Sequence, residues 1–131
     1  PKAVVDAATL TGACVVALGE RLSGVLGNDR QLVRDVLAAG AQIGEPGWEL
    51  PLWKDYKEQI RSDIADLKNT GGRNAGTITA ALFLEAFVEY PWVHIDIAGT
   101  AYSESDLVFL PRGPTGVPVG TFVQLARGRA S

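Results

Sequence analysis

The sequence predicts an α/β fold built in layers. Three observations point there. Apolar strand-like runs alternate with stretches of helical periodicity, the pattern of a sheet covered by helices. Residues 3–8 are apolar except for Asp6, as in a strand buried on both faces. Residues 76–89 read as a helix apolar on most sides, hence buried on most sides.

In chain order, strand 3–8 runs into the small-residue turn Ala7-Ala8-Thr9-Leu10-Thr11-Gly12 and then a short buried helix over 12–18, ended by Gly19. Ser23 to Gly27 reads as a second strand. Asn28 and Asp29 are N-cap candidates for a helix over 30–43, whose stripe is Leu32, Val33, Val36, Leu37, Gly40 and Ala41, with Gly44 and Pro46 as the stop. Trp48 to Leu52 reads as extended, 53–61 as polar with a helical turn, and 62–68 gives no clear pattern. Asn69 to Gly76 is a Gly- and Asn-rich loop before the 76–89 helix. Trp92 to Ile97 is a strand with Val93, Ile95 and Ile97 on one face and Trp92, His94 and Asp96 on the other. Residues 99–116 form a long irregular loop. Pro118 opens a last helix with Val119, Phe122, Val123 and Ala126 inside, frayed after Arg127.

The totals narrow the class. A chain of 131 residues is about one domain, with 47% hydrophobic and 21% charged residues arguing against disorder. A net charge of −3 leaves no electrostatic footprint for nucleic acid. No apolar run approaches the ~20 residues that span a bilayer. One Cys excludes an internal disulfide and suggests a reducing, cytoplasmic setting; with one His beside it, no His- or Cys-based metal cluster can be assembled. The chain contains no Met and opens directly on a core strand, so an upstream segment is expected.

Candidate chemistry is sparse. His94 and Asp96 could bind a metal or act as base and orienter, but read better as buried polar groups bonded to nearby backbone, since no third ligand lies close in sequence. Asp6 inside an apolar strand must be paired, hydrogen-bonded or protonated. Cys14 lies near a helix start, yet Ala13, Val15 and Val16 make it a packed thiol rather than a nucleophile. The 69–77 loop could hold an anion on free N–H groups, but it lacks the Gly-Lys-Ser/Thr ending of a phosphate loop, and tight helix packing explains its glycines equally well. Thr9-Leu10-Thr11-Gly12 offers geometry: small side chains let a peptide-like ligand reach backbone C=O and N–H. A close-packed turn would look the same. From the residues alone, a crevice is expected near 9–12 and 98–116.

Several blocks, in order, resemble the leucyl aminopeptidase (cytosol aminopeptidase) family: Val5 to Ala13, Ala17-Leu18-Gly19, Gly24-Val25, Trp48 to Leu52, Asp63 to Asn69, Ala75 to Leu84, Trp92 to Gly99, and Gly113 to Val119. The resemblance covers nearly the whole chain. It implies the C-terminal portion of a catalytic domain over 1–131, three-layered, with a mixed and mostly parallel sheet flanked by helices. It also implies a metallo-aminopeptidase that releases N-terminal residues, preferentially Leu, and assembles as a hexamer. In such sites two divalent ions, Zn²⁺ or Mn²⁺, activate a water and polarise the scissile carbonyl. The family's metal ligands end in an Asn-Thr-Asp-Ala-Glu-Gly-Arg motif that would lie before residue 1. No catalytic or metal-ligating residue is therefore assigned here, and the segment alone is expected to be inactive and metal-free. What carries over is substrate contact. Leu10 matches a carbonyl acceptor and Gly12 an N–H donor, while Thr9, Gly12, Ala98 and Ala101 match positions lining the pocket for the N-terminal side chain. Some relatives carry Met at the Ala101 position. A peptide substrate is implied, and neither nucleic acid nor membrane. A non-catalytic assembly domain on the same fold, or an anion-binding domain using Asn69 to Thr77, are the alternatives.

Overall fold

The computed structural model describes residues 1–130. Four strands form the main sheet: β1 (Val4–Ala8), β2 (Ser23–Gly27), β3 (Gly47–Glu49) and β4 (Trp92–Asp96), in the order β1-β4-β2-β3. β1 runs parallel to β4 with Asp6 opposite His94, β3 runs parallel to β2, and β2 meets β4 antiparallel. The sheet is thus mixed and mostly parallel, and helices cover both faces.

On one face, α2 (Arg30–Gln42) and α4 (Val119–Ala130) pack on Val25, Val93 and Ile95, with Val5, Ala7 and Ile97 alongside. The other face carries α1 (Gly12–Leu18) and α3 (Gly76–Glu85), and here Leu26, Ala81 and Trp92 form a second core. The alternation read for β4 holds: its two rows of side chains feed the two cores. Asp29 caps α2 by accepting from Leu32 N–H at 2.8 Å, and Thr11 caps α1 by accepting from Cys14 N–H at 3.0 Å.

Several expectations need correction. The 76–89 helix ends at Glu85, because the N–H groups of Phe87 and Val88 turn back to Leu84 and Glu85 in tighter i→i−3 bonds. In α2 Gly40 is buried as expected and Ala39 is buried beside it, whereas Ala41 faces solvent. The 48–52 stretch shortens to β3, and the polar 53–61 piece is a 3₁₀ helix over Lys54–Ile60. The 99–116 loop contains a small antiparallel pair, β5 (Tyr102–Ser103) and β6 (Gly113–Pro114).

α4 differs most. It continues through Arg127 to Ala130, and Pro118 flanks it, lending the carbonyl that accepts from Phe122 N–H. Its inner face is Thr121, Phe122 and Leu125, while Val119, Val123 and Ala126 are exposed. The cause is Glu45, whose carboxylate accepts from Gly120 N–H, Thr121 N–H and the Thr121 hydroxyl. A negative charge at the helix start is favourable there, and it turns Thr121 inward.

Candidate substrate-binding turns

β1 and β4 are parallel neighbours, so their carboxyl ends lie side by side, where ligand crevices form in α/β sheets. The β1–α1 turn leaves one end and the 97–101 turn leaves the other. The ladder extends one bond further, from Ile97 N–H to Ala8 C=O at 2.9 Å.

One carboxylate then joins the two turns. Asp96 is fully buried at the end of β4. Its Oδ1 accepts from Leu10 N–H at 3.2 Å and from Ala98 N–H at 3.1 Å, and its Oδ2 accepts from the Thr11 hydroxyl at 2.7 Å. Since the Thr11 proton is committed to Asp96, the Thr77 hydroxyl, 3.0 Å away, must donate to Thr11 Oγ1. Thr11 Oγ1 also receives Cys14 N–H. This network links β4, the β1–α1 turn, the first turn of α3 and the 97–101 turn.

Of the residues read as substrate contacts, Leu10 and Ala98 are brought together on one oxygen. Thr9 and Gly12 flank Leu10 and are exposed. Ala101 is half-buried, its N–H held by Ile97 C=O at 2.9 Å and its C=O by Thr115 N–H at 3.0 Å. The second turn is packed as well as bonded: a Cβ on Gly99 would lie 2.1 Å from Gly19 O, so only glycine fits against the end of α1.

The cavity at this turn lies elsewhere than expected. About 380 Å³ is walled by Leu10, Thr11 and Ala13 on one side and by Ile60, the 69–73 loop and Thr79 on the other. Leu10 is the only one of the five expected contacts that lines it, and residues 98–116 do not. The glycines of the 69–76 loop were the available signal. Gly71 serves packing, because a Cβ there would meet Thr79 at 2.8 Å.

His94 and Asp96 do not pair with each other. Instead, Asp6 on β1 receives Trp92 Nε1–H and binds His94 Nδ1, each at 2.5 Å. Burial alone would raise the Asp6 pKa, but the His94 and Trp92 hydrogen bonds and the His94 charge together hold the carboxyl below its ordinary value. The buried Cys14 thiol is pushed up, first by desolvation and then by the Asp96 charge, which suits a packed thiol. Among the described residues, no group of three or more His, Cys, Asp or Glu is placed to hold a metal ion. No helix there is long and apolar enough to cross a membrane.

A layered α/β domain with such a turn at adjacent strand ends belongs to the class that binds ligands outside the sheet. The catalytic-domain profile of the cytosol aminopeptidase family matches residues 1–123, and the chain belongs to that family. It is 57% identical over 125 residues to a probable cytosol aminopeptidase of Geobacter sulfurreducens, covering 95% of this chain and 25% of that protein. A probable cytosol aminopeptidase of Neisseria meningitidis is 51% identical over 128 residues, 97% of this chain and 26% of the other. Among solved structures, the bottromycin maturation enzyme BotP in complex with Mn matches with a TM-score of 0.95 and 41% identity, over 99% of this chain and 29% of that one. A tomato leucine aminopeptidase mutant matches at 0.88 and 39%, over 95% and 24%. The chain spans about a quarter of the length of the curated relatives it matches.

Proposed function

We propose that this chain is the C-terminal portion of the catalytic domain of a metallo-aminopeptidase that releases N-terminal residues, preferentially Leu, from peptides in the cytoplasm. Its family membership supports the peptidase class, and the manganese complex of BotP supports divalent ions in the whole enzyme. The observation that carries the local role is the meeting of Leu10 and Ala98 on Asp96 at adjacent strand ends. In this reading Thr9, Leu10, Gly12, Ala98 and Ala101 form the floor on which the substrate backbone and N-terminal side chain rest.

The described residues do not themselves fit a pair of Zn²⁺ or Mn²⁺ ions, for want of a carboxylate or imidazole cluster. The ions' ligands are assigned to other parts of the enzyme. This chain's contribution is binding and orientation: backbone groups hold the peptide, and the small side chains of the turn let it approach. The parent is proposed to be a homo-oligomer, a hexamer by family resemblance.

Two preparations test this reading. The full-length protein containing the segment, purified with Mn²⁺ or Zn²⁺, should hydrolyse Leu-amide in a chelator-sensitive way. The 131-residue chain alone should show no turnover and retain no stoichiometric metal after desalting. Chelator-sensitive turnover by the short chain would overturn the division of labour, and an inert full-length protein would overturn the activity.

A further inference from the structure

We infer that Asp96 is the positioning residue for the peptide substrate, a role that rests on the aminopeptidase reading above. Burying a carboxylate is costly unless its oxygens are well supplied with donors. Asp96 is supplied by two backbone amides and one hydroxyl, all from the two turns at the strand ends. Charge-assisted bonds of this kind are stronger than neutral ones, so they fix peptide planes that would otherwise be free to rotate.

The orientation they fix has a chemical consequence. Leu10 N–H points inward to Asp96 Oδ1. In a planar trans peptide the preceding carbonyl lies on the opposite side, so Thr9 C=O faces away from Asp96. Thr9 is exposed, and so is Gly12 at the start of α1. Asp96 thus removes the Leu10 N–H donor from the outward face of the turn and leaves the Thr9 carbonyl there as an acceptor, one residue before the Leu10 carbonyl read as a substrate contact. Ala98 N–H is consumed on the same oxygen, which ties the pocket-side turn to the backbone-gripping turn. Side-chain packing could hold the turns near each other, but only an acceptor at this point sets which way the 9–10 peptide unit faces.

The test uses the full-length enzyme carrying this segment, with Asp96→Ala and Asp96→Asn, and Asp96→Ser in case the alanine variant does not fold. Asn keeps a carbonyl oxygen for both amides, whereas Ala and Ser leave them without it. For Leu-containing dipeptides, Asp96→Ala (or Ser) should raise KM about tenfold or more with kcat within about threefold, the mark of a lost uniform binding contact. Asp96→Asn should bring KM back to within about threefold of wild type. In amide exchange of the full-length enzyme, followed by mass spectrometry of peptides covering residues 9–12 and 97–101, the Leu10 and Ala98 amides should exchange at least about tenfold faster in the Ala or Ser variant and near wild-type rates in Asn. Asn behaving like Ala, or faster exchange with no change in KM, overturns the positioning role. An active wild type with an unmoved KM sinks this inference alone, while an inactive wild type sinks the aminopeptidase reading as well.

Discussion

Two aspartates serve the same pair of strands, one at the middle of the ladder and one at its end. Asp6 sits mid-ladder on β1 and holds the rings of Trp92 and His94; Asp96 sits at the end of β4 and holds backbone. The Asp6 side chain is 40% exposed, while Asp96 is fully buried. The first pairing locks β1 against β4 in register. The second sets the direction of peptide planes beyond the strands, where a substrate would lie. Both set a carboxylate against an apolar sheet, and they differ in burial and in the kind of donor: ring N–H groups on Asp6, and two amide N–H groups with a hydroxyl on Asp96.

That contrast can be broken experimentally. Asp96→Ala leaves three partly buried donors without an acceptor, and should cost about 4 kcal/mol of unfolding free energy at roughly 1–3 per donor, less whatever water recovers. Asp6→Ala should cost about 2 kcal/mol, because water reaches its half-open position and can take over part of the bonding. Urea unfolding of both variants gives the comparison; equal losses would mean that donor type and burial do not separate the two aspartates. Between these values lies the turn itself. Gly99→Ala drives a methyl into Gly19 O and should cost about 3 kcal/mol. Gly12→Ala meets nothing within 4 Å and should change stability by less than about 0.5 kcal/mol. A mild Gly99→Ala would show that the 97–101 turn yields, and that Asp96 alone holds its place.

The strands and most helices were legible because their signals are local. β4 shows its two faces by alternation, since each row of side chains meets a different core. Asp29 announces its helix from the position just before it. What was not legible depends on partners far along the chain. Hydropathy alone chose Val119 and Val123 for the inner face of α4, but Glu45 draws Thr121 inward from 76 residues away. Leu10 lies 86 residues from the carboxylate that orients it. The expected crevice paired the 9–12 turn with 98–116, whereas the cavity pairs it with 69–80. Turn residues could be read from their small side chains; which distant loop faces them could not, because no periodicity links them. The five expected contacts therefore split. Leu10 and Ala98 share a bond acceptor while Thr9, Gly12 and Ala101 do not, and the substrate roles of all five rest on the family resemblance.

The smallest effect is the pH dependence of the Asp6 contribution. Asp6 has a folded-state pKa below its unfolded value of 3.8. In the window between the two values the unfolded chain binds more protons than the folded one, so stability rises with pH there. The contribution from Asp6 is fully present above the unfolded value and is lost as pH falls through the folded one. Its partial exposure discounts the size, since solvent screens the pair. Unfolding free energies of wild type and Asp6→Asn, measured from pH 5 down to pH 2.5, should therefore converge toward the acid end, with the wild type losing the larger share. Parallel curves would mean that Asp6 is not held below its ordinary pKa, and that the Trp92 and His94 contacts act on it as packing rather than as bonds to a charge. The difference between the two aspartates would then lie in geometry alone.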